Sequence, residues 1–157
     1  MIRMKKILFT VFLLSATLAV FSQDDNNSSS YNTAVGVKVY PGAITVKHFI
    51  KNNIALEGIG YFDNGFWLTG LYEIHTDIKS VEGLKWYIGP GAHLGSNNQY
   101  NNTAGNAMVL GIDGIIGLDY KIKDIPLNVS FDWQPSFTLL SNSFFRGYGG
   151  LAIRYAF

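Results

Sequence analysis

Residues 127–134 read LNVSFDWQ, with Leu127, Val129, Phe131 and Trp133 at odd positions and Asn128, Ser130, Asp132 and Gln134 at even ones. Successive side chains of a strand point to opposite faces, so this segment as a strand has one wholly apolar face and one wholly polar face. Wound as a helix of period 3.6, the same residues would scatter around the axis. The chain ends in the same way: in LAIRYAF, residues 151–157, Leu151, Ile153, Tyr155 and Phe157 share one face and Ala152, Arg154 and Ala156 the other.

Working outward, eight such runs, these two included, follow one another from Tyr31 to the end, at Tyr31–Tyr40, Ala43–Ile50, Ile54–Phe62, Phe66–Ile78, Lys85–Ser96, Ala107–Ile122, Leu127–Leu140 and Gly147–Phe157. Between them stand Pro41-Gly42, Lys51-Asn52-Asn53, Asp63-Asn64-Gly65, residues 79–84, the Asn-rich 97–106, residues 123–126 and 141–146. Gly, Pro, Asn and Asp supply turn geometries that β-branched residues resist, and short turns between neighbours imply antiparallel, up-and-down order. Pro90 and Pro135 each remove a ladder donor inside a run, which predicts a bulge at each. The fold class is therefore all-β: an eight-stranded antiparallel up-and-down barrel.

The charges fall on the polar parity. They are Lys38, Lys47, Lys85, Lys121 and Arg154 against Glu57, Glu73, Asp113, Asp119 and Asp132, five of each sign. The same parity carries small residues, among them Ala34, Gly36, Gly111, Gly117, Gly150 and Ala152, whereas the apolar parity is uniformly bulky. An eight-stranded barrel has an interior just wide enough for side chains to fill, so the mixed small and charged face belongs inside and the bulky face outside. A lysine or arginine on a lipid-facing wall costs about 2 to 4 kcal/mol at the bilayer midplane, which excludes the charged face from lipid. The apolar wall is then a membrane-spanning surface, and the ten charges form a network in the lumen. Aromatics sort to the two rims, with Trp86, Tyr120 and Tyr155 at the end where the chain termini meet and Phe62, Phe66 and Phe137 at the other, the arrangement that interfacial anchoring needs.

Composition agrees: 48% hydrophobic and 15% aromatic residues with 15% charged and 17 glycines favour strands over helices. The N-terminal MIRMKKILFTVFLLSATLAVFSQ places Arg3, Lys5 and Lys6 before an apolar run from Ile7 to Phe21. That run is shorter than the roughly 20 residues a spanning helix needs, and it reads as a cleavable secretory signal over residues 1–22, with a polar linker over 23–30 and the barrel over 31–157. Cleavage takes three of the 12 basic side chains and leaves nine against 11 acidic ones, a mildly acidic balance without the cationic surface that nucleic acid requires. The absence of cysteine excludes disulfides, thiolate metal sites and a lipid-bearing N-terminal cysteine.

The signal, the alternating runs and the terminal aromatic resemble small outer-membrane β-barrels of the OmpA and OmpX type. The segments PGAITVKHFI (41–50), GIDGIIGLDY (111–120) and DIPLNVSFDWQPSF (124–137) are similar to an uncharacterised outer-membrane barrel family common in Bacteroidetes-type bacteria. The resemblance implies a bacterial outer-membrane location after export and signal cleavage, contact with outer-membrane lipid and lipopolysaccharide, and recognition of Leu151, Ile153, Tyr155 and Phe157 by the barrel-assembly machinery.

Candidate chemistry is sparse. His48 falls on the outward parity, His75 and His93 on the inward one. His93 and Ser96 are the residue types that some outer-membrane barrels use to modify lipid A, but a spacing of three puts them on opposite faces of a strand, and no acid stands nearby in sequence. Asp113 and Asp119 lie about 20 Å apart along a strand, too far for an acid/base pair. Gly111, Gly114 and Gly117 have no helix N-terminus with which to cradle phosphate. No cofactor and no enzymatic activity are expected. The reading is an integral outer-membrane barrel with a side-chain-filled lumen, acting as a structural component or as an accessory subunit of an envelope complex; the alternatives are a small pore and a lipid-modifying enzyme.

Overall fold

The computed structural model describes residues 31–40, 42–62, 65–97, 107–139 and 145–157. The expected signal and linker, the turn residues Pro41, Asp63 and Asn64, and the connections 98–106 and 140–144 lie outside the described residues.

Eight antiparallel strands close into a barrel in sequence order: β1 (Thr33–Lys38), β2 (Ala43–Lys51), β3 (Ile54–Tyr61), β4 (Gly65–Asp77), β5 (Leu84–Asn97), β6 (Ala107–Lys121), β7 (Leu127–Thr138) and β8 (Phe145–Ala156). The seam pairs β1 with β8 from Ala34↔Ala156 to Lys38↔Ala152, so no strand keeps a free edge. Each strand starts or stops within a few residues of its alternating run. At the front the structure departs from expectation, because the first strand begins at Thr33 and Tyr31 stands outside the ladder.

Neither proline makes a bulge, which corrects the expectation from sequence. Along β4 and β5 the register is the same from Gly65↔Asn97 to Asp77↔Lys85, and along β7 and β8 it is the same from Leu127↔Tyr155 to Phe137↔Phe145. Each proline forfeits pairing on one side only. For Pro90 the ladder is interrupted toward β4, between Leu71↔Gly91 and Ile74↔Ile88, while Pro90↔Gly114 holds on the β6 side. For Pro135 the gap faces β6 and Pro135↔Gly147 holds. Both rings stand on the outward parity, where no lumen side chain crowds them, and Gly114 fits between them. The one register shift in the β2–β3 ladder falls instead between Phe49 and Lys51.

The two ends of the barrel differ. At the terminal end Thr33 and Phe157 exchange backbone hydrogen bonds of 2.9 and 2.8 Å, beside the turns that join β2 to β3, β4 to β5 and β6 to β7. The opposite, loop end carries the remaining connections. The inward apolar side chains Tyr61, Trp67 and Val109 lie near the loop ends of their strands and, with Ile59, Leu71, Tyr87 and Ile115, form a buried cluster.

Candidate functional site in the barrel lumen

Alternation decides which side chains enter the lumen. Nine of the ten charges singled out from sequence are buried: Lys38, Lys47, Glu57, Glu73, Asp113, Asp119, Lys121, Asp132 and Arg154. The tenth, Lys85, is not sealed within. It is the second residue of β5, at the terminal rim, where its partly exposed ammonium stands 3.5 Å from Asp77 and 3.4 Å from the carbonyl oxygen of Asn52.

The terminal half of the lumen holds the densest group. Lys47 bridges two carboxylates, at 3.2 Å from Glu57 and 2.8 Å from Glu73, with Asp119 at 4.0 Å. Arg154, 0% exposed, donates to Glu57 at 2.5 Å, to Asn128 at 3.1 Å, to Ser130 at 2.7 Å and to Thr45 at 3.2 Å. Thr45 in turn donates to Glu57. One guanidinium thus ties β8 to β2, β3 and β7, and planar fixed donors suit it to that task. Asn128 donates to Asp119 at 2.8 Å, and the Nε2 of His75 lies 2.9 Å from Glu73.

A second group spans the barrel through glycine. Tyr87 pairs with Gly117, and its hydroxyl donates at 3.1 Å to Asp132 on the next strand. A Cβ on Gly117 would stand 2.8 Å from the Tyr87 ring and 2.7 Å from the Asp132 side chain, so the missing side chain is what lets the ring cross over. Lys38 does the same from the other direction. It lies over Gly150, whose Cβ would fall 2.6 Å from Lys38 Cε, and reaches Asp132 at 2.6 Å. Inward glycines therefore act as saddles by which a long side chain skips one strand and binds the next.

Toward the loop end the Nδ1 of His93 lies 2.9 Å from Asp113, Gln134 donates to Asp113 at 3.3 Å, and Tyr61 donates to Gln134 at 2.7 Å. The acid beside His93, missed in the sequence, comes from the neighbouring strand: His93 pairs with Gly111, and Asp113 is the next inward residue of β6. Trp67 covers the imidazole, with ring centroids 4.9 Å apart. Lys121, by contrast, pairs with no acid among the described residues and donates to the turn carbonyls of Ile122 and Ile125 at 2.9 and 2.8 Å. Among the described residues no group of three or more His, Asp or Glu side chains is placed to hold a metal ion.

Outside, the wall is apolar. Val37, Ile44, Leu56, Ile74, Ile88, Ile116, Phe131, Leu151 and Ile153 are all exposed, as are the rim aromatics Phe62, Phe66, Trp86, Tyr120, Phe137 and Tyr155. His48 is outward, with its Nδ1 2.8 Å from the Thr33 hydroxyl. This is a protein turned inside out relative to one that folds in water, since large apolar side chains face the surroundings and ion pairs fill the centre.

The chain is similar in structure to the N-terminal beta-barrel domain of Pseudomonas aeruginosa OprF, with a TM-score of 0.61 over 80% of this chain and 94% of that one. The fold is that of an OmpA-like eight-stranded barrel. Sequence identity between the two is 18%, so the likeness is one of fold. No family model matches the chain, and no curated protein matches it in sequence.

Proposed function

We propose that the protein is an integral barrel of the bacterial outer membrane whose lumen is sealed by its own side chains, and that it serves as a structural component or as an accessory subunit of an envelope complex. The observation that carries this reading is the pairing in the terminal half of the lumen: Lys47 on Glu57 and Glu73, and Arg154 on Glu57, all with side chains fully buried. Charges held at 2.5 to 3.2 Å from one another leave no run of free carboxylates or ammoniums for a permeant ion to follow. The exposed apolar band takes outer-membrane lipid and lipopolysaccharide as its surroundings, with Phe62, Phe66 and Phe137 at one interface and Trp86, Tyr120 and Tyr155 at the other. The end of β8 presents Leu151, Ile153 and Tyr155 outward, followed by Phe157, as the signal for the barrel-assembly machinery.

Single-channel recording in planar bilayers tests the seal. A silent bilayer is expected, and steady steps of one size would replace this reading by that of a small pore. Co-purification in mild detergent tests the subunit role, through a larger assembly of constant composition. The His93–Asp113 pair keeps the lipid-modifying reading open to experiment. Lipid A mass spectra with and without the gene are expected to agree, and an acyl-chain difference lost in His93→Ala would establish the enzyme instead.

A further inference from the structure

We infer that Tyr31 is a removable stopper in the terminal mouth of the barrel, latched to Asp119 and drawn from the N-terminal side. The phenol hydroxyl donates to Asp119 Oδ2 at 2.9 Å, across the mouth from the segment before β1 to β6. The ring stands edge-on against Phe49, with centroids 5.1 Å apart at 89°. Phe49 lies against His75 at 4.7 Å, and His75 stacks on Tyr87 at 4.8 Å and 14°. Four rings thus make a continuous layer beneath the charged group, and Tyr31 is the one that no strand supplies.

The backbone beside it is fixed. Asn32 and Thr33 both donate to the Phe157 carbonyl, and Phe49 donates to the Asn32 carbonyl at 2.8 Å. Tyr31 is the first residue on the N-terminal side of this clip, so it can swing out without breaking a ladder bond. The layer behind it is poised for water. Among the described residues the Nδ1 of His75, one ring beyond Phe49, is buried with no hydrogen-bond partner, and a buried polar atom in that state is destabilising until water or another partner reaches it. When the phenol leaves, Asp119 keeps Asn128 on Oδ1 at 2.8 Å, and its Oδ2 takes water from the opened mouth. Closure therefore rests on one hydrogen bond and one ring, and opening is compensated by hydration of the layer behind.

The device rests on the sealed-lumen reading, and one experiment separates the two. The chain has no cysteine, so Ala34→Cys gives a unique reporter in the full-length barrel, at an inward position that is 0% exposed and pairs with Lys47 and Ala156. Reconstituted barrels are treated with a charged, membrane-impermeant methanethiosulfonate, with Ser80→Cys in the exposed β4–β5 turn as the fast reference. Labelling of Ala34→Cys is expected to be slow with Tyr31 present and at least ten-fold faster with Tyr31→Ala. Tyr31→Phe keeps the ring and loses the latch, and a rate at least three-fold above the parent is expected; this milder change serves if Tyr31→Ala does not fold. Parent labelling as fast as the reference would overturn the sealed lumen and the stopper together. A slow parent with equally slow Tyr31 variants, folded by gel mobility, would overturn the stopper and leave the sealed lumen standing.

Discussion

Arg154 is the side chain whose removal tests the lumen most severely. Arg154→Leu keeps most of the volume and deletes the donors to Glu57, Asn128, Ser130 and Thr45. Asn128 retains Asp119, and Thr45 retains Glu57. The damage therefore concentrates on Glu57, which is left fully buried with Lys47 as its only cation among the described residues, an ammonium it shares with Glu73. Breaking a buried pair by removing one partner costs about 3 to 5 kcal/mol, because the other charge stays buried. With a urea slope of about 1 to 3 kcal/mol/M, the unfolding midpoint in phospholipid vesicles falls by roughly 1 to 5 M. The double change Arg154→Leu/Glu57→Leu removes one charge of each sign and leaves Lys47 its 2.8 Å contact with Glu73, so it should be more stable than the single variant. A loss below about 1 kcal/mol for Arg154→Leu, the cost typical of a solvated pair, would mean that water fills this part of the lumen and would refute the reasoning.

Three further outcomes follow from the same geometry. Phe131→Lys, in the middle of the outer face of β7, should cost about 2 to 4 kcal/mol in vesicle unfolding, whereas Trp86→Lys at the rim should cost about 0 to 1, and equal costs would contradict the placement of the wall. Gly117→Ala puts a Cβ between Tyr87 and Asp132 and should destabilise by about 1 to 3 kcal/mol, read from the denaturant midpoint; a neutral result would remove the saddle argument. Phe157→Ala keeps the backbone bonds to Thr33 that deletion of the residue would remove, so a fall in folded barrel, assayed by heat-modifiable gel mobility after expression in cells, would assign an assembly role to the ring itself.

The fold was readable because a barrel strand repeats every two residues. One turn residue misjudged would invert a whole face, yet the parity of LNVSFDWQ agrees with that of LAIRYAF, and the inside and outside sets follow from them. Pairing across the lumen was not readable. Arg154 meets Glu57 because closure of β1 on β8 brings the end of the chain beside β2 and β3, and no local pattern encodes that seam. His93 finds Asp113 through the β5–β6 register, which depends on how many residues the connection between those strands takes up. The prolines misled because a missing donor was equated with a bulge, when an outward-facing proline in a barrel loses pairing to one neighbour and keeps the other. Lys85 misled because parity says which face a side chain takes and not how far along the barrel it lies. The same holds for Tyr31, which belongs by composition to the first alternating run but by position to the mouth.

Three tryptophans provide the most direct check on which face meets lipid. Trp86 and Trp133 point outward, 40% and 51% exposed, while Trp67 points into the lumen at 6%. In single-tryptophan barrels reconstituted into bilayers with brominated acyl chains, fluorescence of Trp86 and Trp133 should be strongly quenched and that of Trp67 nearly untouched. Quenching of Trp67, with Trp86 and Trp133 left bright, would mean that the ionised face and not the greasy one lies against the acyl chains.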